Sequence, residues 1–145
     1  MRPRLLFVCV ENSCRSQMAE AFARMLAGDR VEASSGGSSP SGAVNARAIE
    51  VMAEVGYDLG VHRSEGLDGV PPGLFDTVVT MSCGDACPHV PARRRIDWQV
   101  RDPKDLPGEE FRAVRDDIRR RVAGLLAELG VDQRDGAEGP PEAGA

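Results

Sequence analysis

Four cysteines punctuate this chain: Cys9, Cys14, Cys83 and Cys87. The first two lie in Cys9-Val-Glu-Asn-Ser-Cys-Arg15-Ser16, a cysteine followed after five residues by Arg-Ser. The apolar, β-forming stretch Arg4-Leu-Leu-Phe-Val-Cys-Val10 leads into it. From Gln17 to Ala27, Met18, Ala21, Phe22, Met25 and Leu26 trace one face of a helix. A five-residue loop between strand and helix can curl round a tetrahedral anion with successive backbone N–H groups turned inward. The helix N-terminus adds partial positive charge, and the planar fork of Arg15 can hold two oxygens. The same field favours the thiolate of Cys9, the nucleophilic form, and Ser16 stands ready to donate to it. Val10, Glu11, Asn12, Ser13, Cys14, Arg15 and Ser16 are therefore the expected oxyanion-binding residues, and Cys9 the nucleophile. The plain alternative is a buried strand cysteine followed by an ordinary capped helix.

The elements that must position this loop follow in alternation. A short strand is expected over Arg30–Ser34, a Gly/Ser/Pro loop over Ser35–Gly42, and an amphipathic helix over Val44–Val55, closed by Gly56. Asp58–Pro72 reads as irregular, Phe75–Met81 as a buried strand, Arg95–Trp98 as a short fourth strand, and Phe111–Leu129 as a long terminal helix. Uniformly apolar strands alternating with helices imply an α/β fold: a single-domain three-layer sandwich, its four-stranded parallel sheet carrying helices on both faces. In such sheets ligands bind beyond the carboxyl ends of the strands. Cys9 and Ser82-Cys83 both fall there, which allows them to be neighbours.

Composition narrows the class. The 145 residues suffice for one domain, expected over residues 1–131. Residues 132–145, rich in Gly, Pro, Ala and acidic side chains, read as a disordered tail. No apolar run approaches a membrane span, and the N-terminal one is too short for export, so no membrane partner and a cytoplasmic location are expected. A net charge of −5 argues against nucleic-acid binding, with Arg93–Arg95 and Arg119–Arg121 read as solvated surface. A reducing compartment disfavours structural disulfides, leaving metal binding or redox chemistry for the cysteines. Cys83-Gly-Asp-Ala-Cys87-Pro-His89 could hold zinc only with Cys9 or Cys14 as fourth ligand, which would disable the anion loop. Cys83 and Cys87 as inert packing residues fit poorly with the Gly, Asp and Pro around them. Cys14 is read as a bystander, and His62 and His89 as surface residues.

The run Cys9-Val-Glu-Asn-Ser-Cys-Arg-Ser-Gln-Met-Ala-Glu20 resembles the active-site signature of the low-molecular-weight tyrosine phosphatase fold. Its Ser-Gln-Met-Ala-Glu continuation resembles the arsenate reductases coupled to thioredoxin, whereas the phosphatases usually have Pro where Gln17 stands. Glu11 departs from the pattern, which has a small residue there, and its carboxylate would repel an oxyanion unless turned to solvent. The resemblance implies an oxidoreductase that takes arsenate, with phosphate and sulfate as analogues, and no tightly bound cofactor. It implies that Cys9 attacks arsenate, that Cys83 then forms a disulfide with Cys9, and that Cys87 resolves it. Thioredoxin, or mycothiol or another thiol donor, would reduce the Cys83–Cys87 disulfide. Asp102 of Asp102-Pro103 is implied as general acid. Lys104-Asp105-Leu106 stands where the phosphatases carry aromatic residues flanking the substrate ring. Asn12, Glu20, Ser34 and Glu65 align approximately with a potassium site, although no metal is required and the family pattern has Asp where Glu65 stands. A monomer is expected. The rival readings are a low-molecular-weight protein phosphatase working through a Cys9 phosphocysteine, and a redox-sensing or zinc-binding interaction module without turnover.

Overall fold

The computed structural model describes residues 2–81 and 90–134, so Cys83, Cys87 and His89 lie outside the described residues. Within them the chain runs β1 (Arg4–Cys9), α1 (Arg15–Ala27), β2 (Glu32–Gly37), α2 (Ala46–Ala53), β3 (Phe75–Met81), β4 (Ala92–Trp98) and α3 (Gly108–Glu128). Short 3-10 turns at Gly28–Arg30, Leu59–Val61 and Leu67–Gly69 link them. The four strands form one sheet in the order β2-β1-β3-β4, every pair parallel. Register places Cys9 beside Gly37 and Met81 beside Trp98, so the carboxyl ends share one edge.

Strand alternation divides the apolar residues between two faces. Leu5, Phe7, Cys9, Val79 and Met81 join α1, α2 and α3 in the larger core. Leu6, Val8 and Val78 point the other way with Phe75, packed by Leu67, Val70, Val90 and Ala92. Among the described residues, three α-helices therefore cover one face, and the 3-10 turn at Leu67–Gly69 with extended chain covers the other. Every residue of α1 from Arg15 to Ala23 is buried, so this helix lies inside the domain rather than on its surface. Truncating Phe22 at its centre to Ala would cost roughly 3–5 kcal/mol.

Several boundaries differ from the sequence reading. β2 continues to Gly37, into the stretch expected to be loop, because Ser35, Gly36 and Gly37 pair with Phe7, Val8 and Cys9. β4 begins at Ala92, since exposed arginines suit an edge strand that must discourage further pairing. α1 starts at Arg15, which leaves only residues 10–14 for the loop. Residues 132–134, placed in the tail by composition, run against the helices: Arg134 N donates to Leu26 O and Gln133 Nε2 to Ala123 O.

Arg112 and Arg115 of α3 clasp Glu54 at the end of α2, with N···O distances between 2.8 and 3.1 Å. The hydrogen bond from Arg112, then that from Arg115, outweighs partial desolvation and lowers the Glu54 carboxyl from its ordinary 4.5 to about 2. A depressed carboxylate stabilises the fold fully above its unfolded value and loses that contribution as pH falls through the folded one. The stability difference between wild type and Glu54→Gln should thus be constant above pH 4.5 and shrink towards pH 2. Urea melts across that range check it; a difference indifferent to pH would show that the clasp does not hold the α2–α3 contact.

Candidate active site

The loop between β1 and α1 is held from behind through its carbonyl groups. Val10 O accepts from Ser39 N at 2.8 Å, Glu11 O from Ser41 N at 3.1 Å, and Ser13 O from Asn45 N at 3.0 Å. Asn12 O accepts from Gln17 Nε2 at 3.0 Å, and Cys14 O from Met18 N at 3.0 Å, the first turn of α1. None of these donors lines the cavity on the loop's other side, which is bounded by Cys9, Val10, Glu11, Ser13, Cys14, Arg15, Asp102 and Lys104. A trans peptide points its N–H opposite to its C=O. Turning the carbonyls of 10–14 outward therefore turns the N–H groups of 11–15 towards this cavity of about 250 Å³. The start of α1 carries no acidic residue and no side-chain cap, so its partial positive charge faces the same space.

Asn12 is the keystone. It is fully buried, with φ of +49°, a left-handed conformation that Asn tolerates better than most residues. Its Nδ2 donates to Ser16 Oγ (2.8 Å) and Ser35 Oγ (3.0 Å), and its Oδ1 accepts from Gln17 Nε2 and Glu65 N, both at 2.8 Å. Two donor hydrogens and two acceptor sites are all used. With Ser16 Oγ accepting from Asn12, its own hydrogen is free for Cys9 Sγ, 2.9 Å away. The chain continues outward: His62 Nδ1 lies 2.8 Å from Gln17 Oε1, and Tyr57 OH lies 2.6 Å from His62 Nε2. The Gln17 oxygen can only accept, so His62 carries its proton on Nδ1 and receives the Tyr57 hydroxyl at Nε2. His62, expected on the surface, has a side chain only 8% exposed. Closure of residues 58–65 over α1 buries it, and no local pattern signals that closure. Gly37 is needed here too, since a β-carbon would meet Val10 O at 2.6 Å.

Arg15 forms the floor. Its side chain is 9% exposed, and Nη1 donates to Met81 O (3.0 Å) and Val100 O (3.1 Å), anchoring the guanidinium to the last residue of β3 and to the chain two residues beyond β4. Asp102 Oδ2 lies 3.8 Å from Nη2, a long and half-exposed pairing that leaves a buried cation able to take an anion. The Glu11 carboxylate does not simply turn to solvent: it meets Lys104 Nζ at 2.9 Å. Burial above all, with the nearby charges of Asp102 and Cys9, pushes the Cys14 thiol up to about 12. It stays protonated at neutral pH, in keeping with a bystander.

Of the residues aligned with a potassium site, Glu20, Ser34 and Glu65 line a second cavity, of about 420 Å³, and Asn12 does not. Arg24 Nη2 sits 2.7 Å from Glu20 Oε2 and donates to Ala33 O, so a side chain already brings positive charge to this carboxylate. Ser35 Oγ donates to its other oxygen at 2.6 Å. Gln17, Ser35, Tyr57 and His62 were not among the sequence-derived site residues; the signal available was polar Gln17 inside an otherwise buried helix.

The model of the low molecular weight phosphotyrosine protein phosphatase family matches residues 4–135. Arsenate reductase 2 of Staphylococcus haemolyticus (strain JCSC1435) is 41% identical over 122 residues, covering 81% of this chain and 92% of that protein. A solved structure described as an arsenate reductase in the phosphate binding state superposes with a TM-score of 0.78 at 34% identity, over 88% of this chain and 98% of that one. The thioredoxin-dependent arsenate reductase of Corynebacterium glutamicum superposes with a TM-score of 0.72 at 29% identity, over 89% of this chain and 62% of its own.

Asn12→Ala should cost about 2–4 kcal/mol in urea unfolding, from lost buried hydrogen bonds and the left-handed φ. Asn12→Gly relieves the backbone alone and should recover about 1 kcal/mol. A loss below about 0.5 kcal/mol in Asn12→Ala would remove Asn12 from its bracing role. Burial holds His62 below its ordinary 6.5, so acidification protonates the unfolded chain before the folded one. Its contribution is complete above pH 6.5 and is lost as pH falls; His62→Asn should flatten that limb of the stability profile.

Proposed function

The chain belongs to the low molecular weight phosphotyrosine protein phosphatase family, and we propose that within it this protein is an arsenate reductase. The observation that carries the reading is the bond from Arg15 Nη1 to Met81 O. It ties the oxyanion site to the strand that leads, two residues on, to Cys83. The inward N–H groups of residues 11–15 and the remaining edge of the Arg15 fork hold the oxygens of arsenate. Ser16 donates to the Cys9 thiolate and keeps it aimed at arsenic.

Cys9 sulfur bonds to arsenic as one arsenic–oxygen bond breaks, and the leaving oxygen takes a proton from Asp102 and departs as water. The Cys83 thiolate attacks the sulfur of Cys9. The electrons of the sulfur–arsenic bond stay with arsenic, which is reduced from the +5 to the +3 state and leaves as arsenite. Cys87 then attacks Cys83, returning the Cys9 thiolate and forming a Cys83–Cys87 disulfide, which a dithiol donor reduces while becoming oxidised itself. Thioredoxin is the donor favoured by the resemblance of this chain to a thioredoxin-dependent relative, with mycothiol the alternative. No metal enters the scheme, because Arg24 already supplies positive charge at Glu20. The protein works as a cytoplasmic monomer, where thiols are kept reduced; among the described residues no helix is long and apolar enough to cross a membrane.

The test is arsenate-dependent NADPH oxidation coupled through thioredoxin and its reductase. Cys83→Ser and Cys87→Ser should each lose turnover by on the order of a hundredfold or more while keeping slow hydrolysis of p-nitrophenyl phosphate. Asp102→Asn should slow the reaction by about a hundredfold with little change in phosphate affinity. Arsenate reduction at the wild-type rate in both cysteine variants would sink the relay.

A further inference from the structure

Glu11 rises from the anion loop and Lys104 from the segment following Asp102-Pro103, and both line the cavity that holds Cys9. Their ion pair, 2.9 Å long, joins its two sides. The Glu11 backbone is fixed, its carbonyl accepting from Ser41 N and Ser64 Oγ. Lys104 is fixed as well, its N–H donating to Asp102 Oδ1 at 3.1 Å. The two side chains are 40% and 43% exposed, whereas Cys9 is 2% exposed and the Arg15 side chain 9%. The pair thus marks the solvent mouth of a pocket whose floor is the thiol and the guanidinium.

In-line attack by Cys9 expels the group opposite its sulfur, towards that mouth. For arsenate the departing group is one oxygen. For a phosphate monoester it is an oxygen bearing the whole organic part, which must lie in the mouth during the reaction. We propose that the Glu11–Lys104 ion pair biases substrate class, favouring compact inorganic oxyanions over phosphate monoesters. The pair also removes the repulsion that a lone Glu11 carboxylate would exert on a dianion, and the hydrogen bond that Lys104 donates to Glu11 raises the lysine further above its ordinary value. An exposed ion pair is weak, so the effect is a bias of about twofold to fivefold rather than a bar. This inference rests on Cys9 being the nucleophile of an oxyanion site.

The experiment compares wild type, Glu11→Gly and Lys104→Arg in three measurements: hydrolysis of p-nitrophenyl phosphate, calorimetric binding of inorganic phosphate, and arsenate-dependent turnover. In the hydrolysis a sulfur–phosphorus bond forms as the ester bond breaks, the phenolate takes its proton from Asp102, and water then releases phosphate from Cys9. Glu11→Gly should raise kcat/KM for the ester by about twofold to fivefold, with phosphate bound at least as tightly. Lys104→Arg rebuilds the pair and should keep the wild-type discrimination. Ester hydrolysis at the wild-type rate in Glu11→Gly, with phosphate still bound, overturns the inference. A wild type that binds no phosphate overturns it together with the oxyanion-site reading. The predicted ester response without arsenate turnover upholds the ion pair's role and refutes the reductase instead.

Discussion

The architecture of the site rests on one constraint: the carbonyl oxygens of residues 10–14 all find donors on the side away from the cavity. Buried backbone groups must be paired, and pairing the oxygens outward leaves the N–H groups no direction but inward. The donors come from the 39–45 segment, from Gln17 and from the first turn of α1. An anion receptor is therefore built without a charged side chain in the loop contributing to it, apart from Arg15 at its end. Asn12 completes the scheme, because a left-handed residue is what lets the chain reverse its peptide planes there.

Charge is placed as economically as geometry. Arg15 is buried against the carbonyls of Met81 and Val100, and its acidic neighbour Asp102 is held at 3.8 Å, too far to neutralise it fully. Its immediate neighbour Cys14 is kept protonated by burial, so one thiol of the loop can act while the other packs. Further out, Glu20 is matched by Arg24 and Glu11 by Lys104. Glu11 and Glu20 thus each have a cation attached, which preserves the positive field at the floor.

Local spacing made the centre of the site readable. Cys9, Arg15 and Ser16 fall within eight residues of one strand–loop–helix unit, so their types and offsets already imply their geometry. The parallel sheet was equally legible, since β1 and β3 are short apolar runs that only a doubly covered sheet explains. What escaped was non-local. Ser35, Gly36 and Gly37 look like loop by propensity, yet pair with β1 because the strand beside them demands partners and leaves no room for a larger residue at 37. His62 and Tyr57 sit in a stretch without periodicity, and only the folding of that stretch over α1 connects them to Gln17. Cys83 and Cys87, legible as a pair, stand outside the described residues.

Asn45 joins two structures usually considered apart. Its side chain caps α2 by accepting from Arg47 N and Ala48 N, while its own N–H holds Ser13 O in the anion loop. The loop thus acquires its shape only when a helix some thirty residues downstream has begun, and contacts of such separation form late in folding. Before that moment Cys9 is one unremarkable thiol among four, with neither Ser16 nor an array of amides directed at it. The surroundings of Cys9 are in this sense supplied by completion of the fold. A nascent or partly unfolded chain therefore lacks both the Ser16 hydroxyl and the ordered loop that surround Cys9 in the finished fold.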